Sequence, residues 1–194
     1  MAERASLEHF EAIFQASRDP WGTHHRRCEA VKRRAILYAL PPFKVGRILE
    51  LGSGNGSNSK ALAARCLRLD ACDGAPSAVA LTAGALEGHD HAQAMLLALP
   101  ARFPAPRYDA IVIAELLYYL DERTLQAVAS QVQSTLRPGG TLVLCHHHRQ
   151  FRDARQRQDT LHRRFHALLG PNWRATPGSR ELNWDVVGLS RSHR

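Results

Sequence analysis

The stretch ILELGSGNG, Ile48 to Gly56, decides the fold. Ile48, Leu49 and Leu51 form a short apolar run of strand length. Gly52, Gly54 and Gly56 then let the backbone turn tightly and approach a ligand, because no Cβ stands in the way. Ser57 and Asn58 are good helix N-caps, and the following KALAAR (residues 60–65) consists of strong helix formers. A strand, a glycine turn and a helix leave unpaired N–H groups facing outward, a cradle for a polar or anionic ligand. The dinucleotide fingerprint G-x-G-x-x-G does not fit: from Gly52 the third glycine falls on Ser57, and from Gly54 on Ser59. The pattern is E-x-G-x-G-x-G, beginning at Glu50.

On either side of the turn the chain alternates strand and helix. Ser6 caps an expected helix with Leu7, Phe10, Ile13 and Phe14 at helical spacing. Asp19-Pro20-Trp21-Gly22 ends it, and a second helix runs from about Arg26 to Leu40, its Lys32–Arg34 cluster reading as surface charge. After the glycine turn come a helix over residues 59–68, a strand from Leu67 to Cys72 ending at Asp73, and a helix from Pro76 to Leu86 with proline in its first turn. A weak strand spans Ala94–Ala98. Tyr108–Ala114 is near-continuously apolar, as a strand buried on both faces is. Asp121 caps a helix carrying Leu125, Val128, Val132 and Leu136, which Pro138-Gly139-Gly140 terminates. A fifth strand follows over Thr141–Cys145. Residues 158–169 read as a helix, and Trp173–Thr176 with Leu182–Leu189 as a hairpin turning at Pro177-Gly178. The last residues, 190–194, read as loose. The expected fold is α/β: a Rossmann-like three-layer sandwich, its sheet mostly parallel with a C-terminal antiparallel strand, and an N-terminal helical lid.

At 194 residues the chain is long enough for one domain with a substantial core. Its division reads as a lid (1–45), a cofactor-binding core (46–146) and a substrate-side helix with a closing hairpin (147–194). No apolar run is long enough to span a membrane, and MAERASLEHF lacks the apolar segment of a signal peptide. Cys28, Cys66, Cys72 and Cys145 are scattered without a C-x-x-C pair, which points to free thiols in a reducing cytoplasm. The net charge of +8 is uneven. Residues 1–47 hold 9 basic and 5 acidic groups, residues 48–144 hold 7 and 9, and residues 145–194 hold 10 and 4. Basic ends are either solvated faces or the mark of an anionic partner. Arg152, Arg155 and Arg157 are the candidates for an acidic acceptor.

In an open parallel sheet, ligands bind at the carboxyl ends of the strands near the reversal of strand order. Glu50 and the glycines come from the first strand, and Asp73 ends the second, 17 residues past Gly56. That position suits a carboxylate accepting both hydroxyls of a ribose, at about 1.5–3 kcal/mol per bond. Glu115 follows a buried strand, so it is paired or at a site. Tyr118 and Tyr119 offer hydroxyls and aromatic faces at the mouth.

The E-x-G-x-G-x-G string resembles motif I of the class I S-adenosylmethionine-dependent methyltransferases. DPWG (19–22), ILELGSGNG, YDAIVIAELLYYLD (108–121), LRPGGTLVLCHHH (136–148) and ELNWDVV (181–187) together resemble the nodulation protein S (NodS-like) group, over roughly residues 10–187. The resemblance implies S-adenosyl-L-methionine as cofactor, held by Glu50, Gly52, Gly54, Gly56, Asp73, Glu115 and Leu116. It also implies a lid in which Trp21 and the helix carrying Arg27 cover the site, although THHRRCEAVK departs from the aromatic-containing version of that group. Its namesakes N-methylate the free amine of a chitooligosaccharide precursor. The third strand, AMLLALPARF (94–103), lacks the acidic residue that usually meets the adenine amino group, leaving backbone and apolar contacts from Met95 to Leu99.

An amine nucleophile must lose a proton before attack. His146 is the first candidate base. His162, with Asp159 three residues earlier on one helical face to orient it, is the second. A metal site from His146, His148, His162 and His166 lacks supporting spacing such as H-E-x-x-H, so no metal is expected. The reading is an N-methyltransferase of a small molecule, amino sugar or oligosaccharide. The alternatives are an RNA or other nucleic-acid methyltransferase and a non-catalytic cofactor-binding partner protein. The missing N/D-P-P-Y/F segment and Pro-Cys pair argue against nucleic acid, and the intact glycines and Asp73 against a dead site.

Overall fold

The computed structural model describes residues 6–192. Two helices come first, α1 (Leu7–Ala16) and α2 (Arg27–Ala39). Then follow β1 (Val45–Leu51), α3 (Ser57–Ala63), β2 (Cys66–Asp73), α4 (Pro76–Ala85), β3 (Ala92–Leu96), β4 (Tyr108–Ala114), α5 (Glu122–Thr135), β5 (Leu136–His147), α6 (Leu161–Leu169), β6 (Trp173–Arg180) and β7 (Trp184–Arg191). A short 3-10 turn, Leu117–Tyr119, leaves β4. The sheet runs β3-β2-β1-β4-β5-β7-β6. All pairings from β3 through β5 are parallel, and β7 is antiparallel to both its neighbours. Strand order reverses between β1 and β4, which opens a crevice at their carboxyl ends.

Side chains alternate across the sheet and build a core on each face. Leu49, Ile111, Ile113, Leu142 and Leu144 pack with Leu125, Val128 and Val132 of α5 and Phe165 of α6. Ile48, Leu69, Val112 and Val143 pack on the opposite face with Ile36 of α2 and Leu62 of α3. These are the three layers expected from the sequence. The caps also stand where expected: the Ser6 hydroxyl accepts from the His9 N–H, and the Asp121 carboxylate from the Thr124 N–H.

Several boundaries differ from the sequence reading. The helix after the glycine turn stops at Ala63, not near residue 68, because β2 takes the chain from Cys66, fully buried like Leu69. It is capped by Gly56 in the left-handed region (φ 78°), so Ser57 is its first residue and not its cap. A side chain at 56 would also meet Ala85 Cβ at 2.6 Å and Thr82 Cα at 2.9 Å, so position 56 admits only glycine on both counts. Pro138-Gly139-Gly140 sits inside the start of β5, in an irregular pairing with β4 between Tyr108 and Ala110. The C-terminal hairpin turns over residues 181–183. Residues 177–178 instead interrupt the pairing of β6 with β7, between Thr176 and Ser179. Ser190 and Arg191 belong to β7; residues 193–194 lie outside the described residues.

Candidate active site

A cavity of about 780 Å³ opens at the carboxyl ends of β1, β2 and β4, and α1 and the start of α2 roof it. Its walls include Gly52, Ser53, Gly54, Asp73, Glu115, Leu116 and Trp21.

One half is the glycine turn. Gly52 and Ser53 donate their N–H groups to the Cys72 carbonyl at 2.8 and 3.0 Å, which fixes the turn against the end of β2. Gly52 needs its positive φ of 74°, and a Cβ there would press on Leu116 at 3.2 Å. Asp73 then closes the turn: its Oδ2 accepts from the Gly54 N–H at 2.9 Å and its Oδ1 from the Ala75 N–H at 3.0 Å. Burial raises the Asp73 pKa, against the opposing pull of these backbone donors. Glu50 does not line the cavity. It lies under the turn, 1% exposed, with its Oε2 accepting from the Ser59 hydroxyl at 2.5 Å. Burial pushes its pKa up to about 8, so it is largely protonated at neutral pH. Gly56 likewise shapes the turn from outside the cavity lining. Leu97 and Leu99 supply the apolar wall beyond β3.

The other half is assembled from distant elements. Glu115, the residue after β4, has a positive φ of 54°, the only such non-glycine residue among those described. Its Oε1 takes the Lys32 ammonium at 2.8 Å, and its Oε2 accepts from the Tyr118 hydroxyl at 2.7 Å and the His147 N–H at 3.2 Å. The Lys32 ammonium also meets Glu29 at 3.0 Å and His147 Nε2 at 3.1 Å. Burial alone lowers the Lys32 pKa, but Glu115 and Glu29 outweigh it and hold the amine protonated. Lys32 is therefore not surface charge, as its place in a basic run suggests; it is 5% exposed. The signal was available: Lys32 lies four residues before Ile36 and seven before Ala39, on the buried stripe of α2. Tyr118, buried beside Glu115, has its hydroxyl pKa raised well above normal and stays a phenol.

Residues 49–142 match the family described as a methyltransferase domain. A solved structure of a candidate methyltransferase from Pseudomonas syringae is 32% identical, covering 86% of this chain and 100% of its own, with a TM-score of 0.71. The chain belongs to the S-adenosylmethionine-dependent methyltransferases. Nodulation protein S of Sinorhizobium fredii is 28% identical over 130 residues, 66% of this chain. The match spans 60% of that relative's own length. The N-methyltransferase NodS of Bradyrhizobium japonicum, solved with S-adenosyl-L-homocysteine, covers 97% of this chain and 98% of its own at 22% identity, with a TM-score of 0.81. At that identity the match shows the shared fold.

The histidines of this methyltransferase are arranged differently from the sequence reading. His146 faces α6, away from the cavity. Its Nε2 accepts from the Leu117 N–H at 3.2 Å and its Nδ1 meets His162 Nε2 at 2.8 Å. Burial lowers the pKa of His146 well below normal and that of His162 to about 4, so both are neutral near pH 7. Neither lines the cavity; they brace the 117–119 turn. Asp159 does not orient His162. It lies exposed in the 3-10 turn before α6 and pairs with Arg157 at 2.7 Å. The reason is parity. Leu142, Leu144 and His146 share the α6 face of β5, whereas Val143, Cys145 and His147 share the α2 face, where Lys32 waits.

Side chains tie α1 and the segment between α1 and α2 to the glycine turn and to α4. Glu11 of α1 accepts from the Ser77 N–H and hydroxyl at 2.9 and 2.5 Å. Asn55 of the glycine turn donates to Asp19 at 2.9 Å and shares a hydrogen bond with Thr23. Trp21 lines the cavity with its ring edge-on to Phe14 at 5.4 Å. Arg26, just before the helix that carries Arg27, and Glu29 and Lys32 of that helix line the cavity.

Proposed function

We propose that this methyltransferase transfers a methyl group to the amine nitrogen of a small molecule or amino sugar. The glycine-turn half fits S-adenosylmethionine: open backbone at Gly52–Gly54, a carboxylate at Asp73 for the ribose hydroxyls, and Leu97 and Leu99 for the adenine. Trp21 covers this half from the lid, and Leu116 backs Gly52. When bound there, the cofactor supplies an electrophilic methyl group. The chain supplies alignment of the acceptor, exclusion of water by the lid and removal of the acceptor's proton.

The observation that carries the choice of an amine is the ammonium already seated at the acceptor half. Two carboxylates, Glu115 and Glu29, converge on Lys32 at 2.8 and 3.0 Å beside the end of β4. Glu115, Glu29 and the Lys32 ammonium together carry a net charge of −1, so a protonated amine entering the cluster completes the charge balance. The name of the Sinorhizobium relative and the N-methyltransferase activity of the Bradyrhizobium neighbour support the same class. Arg26, Arg149 and Arg155 on the rim favour an acceptor that carries an anionic group besides its amine. Of the Arg152, Arg155 and Arg157 set expected from sequence, Arg155 alone lines the cavity; Arg152 does not, and Arg157 pairs with Asp159. By this reading residues 6–45 act as lid, 46–146 as cofactor core and 147–192 as the acceptor side.

A paired panel of amino sugars and their hydroxyl counterparts, assayed with labelled S-adenosylmethionine, tests the reading. Transfer to amines and not to the matching alcohols is expected. Transfer to alcohols alone overturns it.

A further inference from the structure

We propose that His147, through Nε2, is the group that removes the proton from the acceptor amine. The inference rests on the amine reading above.

Its tautomer follows from its partners. Nδ1 lies 3.0 Å from the Asn183 carbonyl oxygen, which accepts and never donates, so Nδ1 carries hydrogen. Nε2 lies 3.1 Å from the Lys32 ammonium. That ammonium is a donor only, so the contact requires a lone pair on Nε2. The imidazole is neutral, held by a main-chain carbonyl from the hairpin, with its basic nitrogen among the residues that line the cavity.

The neighbouring groups are each unsuited to the task. Lys32 stays protonated between Glu29 and Glu115. Tyr118 stays a phenol, its hydroxyl donated to Glu115. The Glu115 oxygens are engaged by Lys32, Tyr118 and the His147 N–H. His146 has both nitrogens committed on the far side of the sheet. Asp185 of β7 is turned to His148, at 2.9 Å. Phe151 sets its ring edge-on to His147 at 6.0 Å and shields that side with carbon.

The step balances within the cluster. The acceptor ammonium displaces Lys32 from Nε2, and Lys32 keeps both carboxylates. One N–H bond of the ammonium breaks and its electron pair stays on nitrogen as the nucleophilic lone pair. The proton bonds to Nε2, giving an imidazolium 3.6 Å from Glu115 Oε1. The summed charge of Glu29, Glu115, Lys32, His147 and the amine is zero before and after the transfer.

Two measurements on the whole protein test this. The first is the imidazole nitrogen spectrum of histidine-labelled protein with S-adenosyl-L-homocysteine, assigned with His147→Gln. The Nδ1–H form of His147 is expected; the Nε2–H form overturns the proposal. The second compares amine methylation by wild type, His147→Gln and His147→Asn across pH. Both variants are expected to lose on the order of 10²–10⁴-fold in kcat, to lose the acidic limb of the profile, and to bind S-adenosyl-L-homocysteine within twofold of wild type. A wild type that turns over while a variant with intact S-adenosyl-L-homocysteine binding stays within about threefold overturns the role of His147 alone. A wild type that methylates no amine overturns the amine reading, and this role with it.

Discussion

The two halves of the cavity are built in opposite ways. The half proposed for the cofactor is local: nine consecutive residues, 48–56, make the strand end and the turn, and Asp73, at the end of the adjacent parallel strand, locks the turn through the Gly54 N–H. Its precision comes from backbone conformation, with positive φ at Gly52, Gly54 and Gly56. The half proposed for the acceptor is non-local. Glu115 and Lys32 are 83 positions apart, Lys32 and His147 are 115, and all three depend on α2 packing over the sheet. Its precision comes from side-chain charge and hydrogen bonding. A turn of that kind suits an invariant cofactor, and a cluster of that kind can be retuned for a different acceptor by single substitutions.

The comparison is broken most severely by Gly56→Val. The added side chain faces Ala85 and Thr82 and needs a left-handed backbone, at a cost of about 2–4 kcal/mol. Calorimetric melting is expected to fall by roughly 5–15 °C, with cofactor binding lost. A variant that melts and binds like wild type would show that the turn tolerates a side chain.

Glu115→Gln separates the halves. It removes the charge that holds Lys32 and that is proposed to receive the acceptor, and kcat/KM for an amine is expected to drop on the order of 10²-fold. S-adenosyl-L-homocysteine binding is expected to stay within about threefold. Equal losses in both assays would merge the two halves into one site.

Glu50→Gln sharpens the picture of the turn's support. The folded pKa of Glu50 is raised from 4.5 to about 8. Its contribution to stability is therefore fully present below pH 4.5 and is lost as pH rises through about 8. Urea unfolding of wild type and variant is expected to agree near pH 4.5, with the variant ahead by on the order of 2–4 kcal/mol at pH 8. A constant difference across that range would mean that Glu50 is not the titrating group.

What the sequence revealed follows the same division. The glycine string, the strand Tyr108–Ala114, the caps at Ser6 and Asp121 and the carboxylate at Asp73 are all local signals, and each stands where it was read. Lys32 was hidden in a basic run, because periodicity says which face a residue occupies but not which partner lies across it. The histidine tract showed the same limit. Strand alternation sends His146 and His147 to opposite faces, but which face holds the site depends on where α2 docks, and no local pattern carries that. Pro177-Gly178 reads as the hairpin turn because proline and glycine usually mark turns. In the folded chain Gly178 instead meets the Val186 carbonyl so closely that a side chain would not fit.

The central claim, that the glycine turn and Asp73 form the S-adenosylmethionine site, is tested most directly by calorimetric titration of S-adenosyl-L-homocysteine into wild type and Asp73→Ala. Loss of one or two charge-assisted hydrogen bonds at about 1.5–3 kcal/mol each predicts affinity weakened by at least about tenfold in the variant. Equal affinity in the two proteins, or no binding to wild type, would contradict the account.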